Sequence, residues 1–190
     1  MAAGGDQPFV LATIHRAENT EDPARLESIL TALGAVATNG AGGSEPLPVL
    51  LPLHPRTQAR IESNKLQHLL KPLTLTPPLG FLAMVLLERR AALVVTDSGG
   101  VQKEAFLQGT PCVTVRTETE WVELLECCWN RLADPTDPAA MLTARAQQLA
   151  LDASRERPSL YGDDTAAEAI VAPLISTMRG CYGSIAGAQP

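Results

Sequence analysis

The sequence predicts an α/β fold, a Rossmann-like parallel sheet with helices on both faces, and three observations carry that expectation. Short apolar runs recur along the 190 residues with helical stretches between them, the pattern of βαβ units. The clearest run, Leu93, Val94 and Val95, is apolar throughout rather than alternating, as strands covered on both faces are. Polar residues gather directly after the runs, at the carboxyl ends of the predicted strands, where open α/β sheets bind ligands.

In chain order, Phe9 to Ile14 is the first predicted strand, closing at His15 and Arg16. Pro23 then opens a helix with Asp22 as N-cap, and Leu26, Ile29, Leu30, Leu33 and Val36 mark its buried face. The Gly, Ser and Pro-rich stretch from Asn39 to Pro48 reads as a surface connection. Val49 to Leu53 is a second strand that closes at His54 and Pro55, and a more polar helix follows from Thr57 to Leu70. Leu73 to Thr76 is a weaker third strand ending at Pro77 and Pro78, after which Gly80 to Arg90 reads as a helix with Leu82, Val85 and Leu86 on one face. A fourth strand leads into Asp97. Pro111 to Val115, a helix over Thr119 to Cys127, a strand around Trp129 to Ala133 and a helix from Pro138 capped by Asp137 follow. Thr165 to Met178 is amphipathic through Ile170, Val171, Leu174, Ile175 and Met178.

The stretch around which the rest is arranged is A-L-V-V-T-D-S-G-G-V-Q-K-E, Ala92 to Glu104. It reads as buried strand, tight turn and helix, with two glycines where the helix begins. The first amides of a helix lack internal partners and lie at the positive end of its dipole, and glycine lets an anion approach the backbone closely. Ser98 adds a hydroxyl. Glu104, four residues past Gly100, stands one turn along on the same face; it would repel phosphate but accept from sugar hydroxyls, so a ribose carried by a diphosphate fits both. The same turn also fits an ordinary strand-to-helix connection with Asp97 or Ser98 as N-cap, and spacing alone does not choose between the two.

Composition narrows the classes. A net charge of −6 with few aromatic residues argues against a nucleic-acid or anionic-membrane binder. No apolar run is long enough to span a bilayer, and Met1 to Gln7 lacks a signal-peptide layout, so a cytoplasmic protein is expected. Cys112, Cys127, Cys128 and Cys181 match neither a metal spacing nor a disulfide framework, and no metal is expected.

Taken singly, the polar residues are ambiguous. His15 suits proton transfer or phosphate contact, yet a loop histidine is commonly a local hydrogen-bonding residue; Arg16 suits an anion clamp, and Glu18 either orients His15 or caps the next helix. His54 has the same ambiguity, with Pro55 pointing to a helix start. Thr117 to Glu123 sets Glu118, Glu120 and Glu123 around Trp121; acidic residues at a helix start are favoured by the dipole alone, and Trp121 serves either as core or as a wall against a base or sugar.

Read together, H-R-A-E-N from His15, L-P-L-H-P from Leu51, P-L-G-F-L from Pro78, T-D-S-G-G-V-Q-K-E from Thr96, Q-G-T-P from Gln108, R-T-E-T-E-W-V-E from Arg116, W-N at Trp129 and Y-G-D-D-T-A from Tyr161 occur in an order that resembles the C-terminal half of the non-hydrolysing UDP-N-acetylglucosamine 2-epimerases. The resemblance reaches about residue 175. It implies one of the two Rossmann-like domains of a GT-B architecture, spanning 8–180 between tails at 1–7 and 181–190. It implies that Ser98, Gly99 and Gly100 hold a diphosphate, that Glu104 takes the ribose hydroxyls, that His15 lies by the diphosphate and is counted as catalytic, and that uracil is held along Leu79 to Met84; Arg16, the candidate anion clamp, is expected to bind UDP with them. Glu118, Glu120 and Trp121 are candidates for the sugar side. Trp121 stands where many members carry arginine, and E-W-V-E resembles a branch with epimerases of modified UDP-sugars.

The reaction implied by the resemblance inverts C2 of a UDP-sugar by eliminating UDP to a glycal and adding it back, without a cofactor. Its acid/base carboxylates come from the N-terminal half, and no second βαβ run precedes Phe9. The 190 residues alone are therefore expected to bind UDP weakly and not to turn over unless the N-terminal half or a partner chain joins them, a full-length protein being expected as a homodimer. Two other readings share the architecture: the donor-binding domain of a UDP-sugar glycosyltransferase, and a non-catalytic nucleotide-binding module.

Overall fold

The computed structural model describes residues 7–39, 45–151, 155–162 and 165–185, giving the backbone path alone from 176 to 185. The strands are β1 Val10–Thr13, β2 Val49–Pro52, β3 Thr74–Thr76, β4 Leu93–Thr96, β5 Cys112–Thr114 and β6 Asn130–Leu132. The helices are α1 Ala17–Thr20, α2 Pro23–Asn39, α3 Pro55–Ser63, α4 Phe81–Arg90, α5 Gly99–Gln108, α6 Val122–Glu126, α7 Pro138–Leu149 and α8 Ala166–Ile185, with a 3₁₀ turn at Gln67–Leu70.

All six strands pair in parallel in the order β3-β2-β1-β4-β5-β6. This is the doubly wound order whose direction reverses between β1 and β4, and ligands of such sheets sit in the crevice beyond the carboxyl ends of those two strands. The register pairs Val10 with Leu93 through Thr13 with Thr96, so the residues that follow Thr13 and Thr96 emerge side by side. The Thr13 and Thr96 hydroxyls share a 2.6 Å hydrogen bond at that exit.

Successive strand residues point to opposite faces, and both faces are covered. Val10, Ala12 and Val95 enter the larger core cluster with Leu26, Ile29, Leu30 and Leu33 of α2 and Met141 and Ala144 of α7. Leu11 and Val94 enter a smaller one with Ala105 and Cys112, against which Met84 and Leu87 of α4 and Val101 of α5 pack. Asp22 caps α2 through the amides of Ala24 and Arg25, and Asp137 caps α7 through the amide of Ala139.

The structure departs from the sequence reading at three helices. The helix expected over 57–70 ends at Ser63, where Asn64 caps it and Lys65 turns to φ 59°, so only a 3₁₀ turn follows. The helix expected over 119–127 shortens to Val122–Glu126, because side-chain bonds hold 119–121 as a loop. In α4 the face carrying Leu82 and Leu86 is turned outward, at 82% and 50% exposure, while Met84, Leu87 and Glu88 face the sheet.

The chain divides into two compact units, Met1–Arg155 and Glu156–Pro190; the 8–180 range expected for one domain spans the first and most of the second. In the second unit α8 is helical through the expected tail residues 181–185, and its apolar residues Ile170, Val171, Leu174 and Ile175 are exposed. The tail residues 1–6 and 186–190 lie outside the described residues.

Candidate functional site

The crevice beyond β1 and β4 is assembled by Asp97, the residue after β4. Its side chain is fully buried, and its carboxylate accepts from the backbone amides of His15 at 3.1 Å and Arg16 at 3.0 Å and from the Asn19 side-chain amide at 3.2 Å. Asn19 also donates to the Val115 carbonyl. One carboxylate thus pins the loop after β1 to the ends of β4 and β5. It also lies 3.4 Å from His15 Nδ1, on a side chain that is 46% exposed. Asp97, not Glu18, therefore orients His15; Glu18 pairs instead with Arg16 at 3.4 Å and Arg116 at 3.6 Å.

Ser98 is the N-cap of α5. Its amide donates to the Thr96 hydroxyl, and its own hydroxyl oxygen accepts from the amide of Val101 at 3.4 Å. The amides of Gly99 and Gly100, first in the helix, have no intrahelical acceptor, and Gly100 is exposed. The start of α5 is braced from the side. Gln102 is fully buried, donates to the Ser98 carbonyl, and accepts from Thr119 and from Asn130, which in turn accepts from Thr114. Trp121 Nε1 donates to the Gly99 carbonyl at 2.8 Å, and Lys103 sits over its ring at 4.8 Å. A tryptophan and a lysine thereby flank the first turn of α5.

Arg116, at the end of β5, is 8% exposed and bonds the Glu120 carboxylate at 2.7 Å. The other oxygen of Glu120 touches the space that a Cβ on Gly99 would fill. The Glu120 carboxyl is held below the usual carboxylate range by its own backbone amide and then by Arg116, with Arg16 adding to the effect. A carboxylate thus rests against the glycine turn, between two arginines.

Among the residues expected at the site, His15, Arg16, Ser98, Gly99, Gly100, Glu120 and Trp121 converge on the β1/β4 crevice and the adjoining end of β5. Glu118 is exposed and forms no hydrogen bond or ion pair among the described residues. Leu79 is half-buried ahead of α4, and Met84 joins the smaller core cluster beside Val101 of α5. Glu104 is half-buried one turn along α5, beside the buried carboxyl of Glu88. His54 caps α3 by accepting from the amide of Arg56, its structural role. Asn19 and Glu88 escaped the sequence reading. The Met84, Leu87, Glu88, Ala91 spacing of one helix stripe was the available signal for the second.

No group of three metal-ligating side chains occurs among the described residues, and none of their helices is long and apolar enough to cross a membrane. Burial pushes the Cys112 thiol up to about 12.

The sequence profile described as UDP-N-acetylglucosamine 2-epimerase matches residues 1–175. This chain belongs to that family. A UDP-2,3-diacetamido-2,3-dideoxy-D-glucuronate 2-epimerase of Pseudomonas aeruginosa is 50% identical over 137 residues, covering 72% of this chain and 36% of the relative. A UDP-N-acetylglucosamine 2-epimerase of Methanococcus maripaludis is 34% identical over 87% of this chain and 44% of its own length. The Methanocaldococcus jannaschii UDP-GlcNAc 2-epimerase, solved with UDP-GlcNAc and UDP, superposes with a TM-score of 0.78 at 30% identity, over 90% of this chain and 46% of that one. The chain spans less than half the length of these relatives. Its six-stranded parallel sheet is the Rossmann-like fold of GT-B epimerases.

Proposed function

We infer that this chain is the UDP-binding C-terminal domain of a 2-epimerase acting on a UDP-sugar. In this reading the Gly99 and Gly100 amides and the Ser98 turn hold the diphosphate, Glu104 the ribose hydroxyls, and the stretch from Leu79 to Met84 the uracil. His15 and Arg16 line the phosphate side, and Glu118, Glu120 and Trp121 the sugar side. The observation that carries it is the start of α5: glycine amides with no acceptor among the described residues, at the β1/β4 switch point with Arg16 and Arg116 close by.

The chemistry assigned to the whole enzyme is loss of UDP from the sugar to a glycal and re-addition after a proton is replaced at C2. An anion-stabilising site suits the departing UDP, whose negative charge grows as the bond to C1 breaks. The proton-transfer carboxylates belong in this reading to a second α/β half, so the 190-residue chain binds UDP weakly and does not turn over alone. The whole enzyme is proposed to be a cytoplasmic homodimer. The 50% identity to the Pseudomonas relative supports a modified UDP-sugar as substrate.

Calorimetry with UDP tests the site. Ser98→Tyr, which fills the turn, and Glu104→Ala each weaken binding at least about tenfold if the assignment holds; wild-type affinity in both variants contradicts it. With the N-terminal half supplied, turnover in D2O places deuterium at C2. Group transfer without that exchange points instead to a glycosyltransferase donor domain.

A further inference from the structure

The seam between α4 and α5 contains a carboxyl that the reading above does not use. Glu88 sits on the inward stripe of α4 with Met84 and Leu87, at 0% exposure. Neither of its oxygens receives a hydrogen bond from any described group. Among the described residues, the ionisable groups interacting with it are Glu104 of α5 and the neutral thiol of Cys112 on β5, and neither is cationic. The nearby Thr110 hydroxyl donates to the Glu88 backbone carbonyl, not to its side chain.

A buried carboxylate without a donor or a counter-charge is costly, and two carboxylates side by side cannot both stay ionised cheaply. If both are charged, each is an acceptor and no bond joins them. One proton turns the repulsion into a charge-assisted hydrogen bond. The proton belongs on the member shut away from water, which leaves the negative charge on half-buried Glu104, nearer the crevice.

We propose that Glu88 is a positioning residue: as the neutral acid it donates to Glu104 and holds that carboxylate where it accepts the hydroxyls of a nucleotide ribose. The inference rests on the assignment of Glu104 to the ribose. Burial, and then the Glu104 carboxyl beside it, push Glu88 up to about 7, so the device is intact in mild acid, half lost at neutral pH and gone in mild alkali. Ionised Glu88 offers no hydrogen and repels its neighbour.

The test compares affinities of the 190-residue chain for UDP and for 2′,3′-dideoxy-UDP across neutral pH. The ratio cancels changes at the phosphates, His15 and the arginines, which meet both ligands alike. Expected is a preference for UDP that falls about tenfold from pH 6 to pH 8.5, and that Glu88→Gln keeps at its acid value throughout, because an amide donates at every pH. By linkage, UDP should raise the midpoint of the Glu88 carboxyl ¹³C titration by about one pH unit, a readout independent of any variant. A ribose preference indifferent to pH and to Glu88→Gln, or an unmoved midpoint, overturns the role of Glu88 alone. Equal affinity for the two nucleotides, or none for either, overturns the ribose assignment and this inference with it.

Discussion

Asp97 and Glu88 are both carboxyl side chains at 0% exposure, yet their surroundings are opposite. Asp97 gathers the amides of His15 and Arg16 and the Asn19 side chain around its oxygens, whereas Glu88 gathers none. The first is a structural pin whose desolvation is offset by hydrogen bonds. The second is an unmet cost on the α4 face that packs against the smaller core cluster, lowered by holding a proton. Burial alone says little about what a carboxylate does; the donors around it decide.

The largest effect is expected from breaking the pin. Asp97→Ala orphans the His15 and Arg16 amides and the buried Asn19 side chain, all in the segment after β1, and should lower stability by about 3 kcal/mol, measured by denaturant unfolding. It should also abolish UDP binding, because the loop carrying His15 and Arg16 loses its anchor. If Asp97→Ala unfolds at the wild-type denaturant midpoint, the contrast with Glu88 has no energetic basis.

Glu88→Gln should act in the other direction. The folded chain holds a proton on Glu88 up to about pH 7, above the ordinary 4.5, so that group's contribution to stability is complete below 4.5 and is lost as pH rises through 7. The glutamine variant escapes that loss. It should therefore match wild type at pH 4.5 and melt on the order of 5 °C higher at pH 8, in thermal scans at both pH values. Equal melting temperatures at pH 8 would mean that Glu88 finds compensation on ionising.

Both behaviours were only partly legible in the sequence. Short apolar runs located all six strands, and the glycines placed the start of α5, because those signals are local. The pairing of β1 with β4 was not legible, since it joins segments more than 80 residues apart, and the bonds from Asp97 to His15, Arg16 and Asn19 depend on it. On α4, the two adjacent stripes through Leu86 and Leu87 are both apolar, and periodicity could not say which one the sheet would cover. The sheet covers the stripe of Met84, Leu87 and Glu88, and Leu82 and Leu86 stay exposed.

Glu120 lies between the two extremes, with its side chain 47% exposed and resting between Arg116 and the glycine turn. In the proposed reading, a phosphate approaching the Gly99 amide meets this carboxylate as a like-charged competitor. Removing this half-exposed competitor in Glu120→Ala should tighten UDP binding by about threefold at low salt, and less at high salt, in a calorimetric salt series. Weaker binding in that variant would give Glu120 a direct part in holding the nucleotide.

The most direct test of the central claim is an ¹H–¹⁵N correlation titration of the chain with UDP. The account predicts that the Gly99 and Gly100 amide resonances move furthest, with Val101 close behind and the α7 amides still. Unmoved glycine amides, with the largest shifts along Pro138–Leu149, would contradict it.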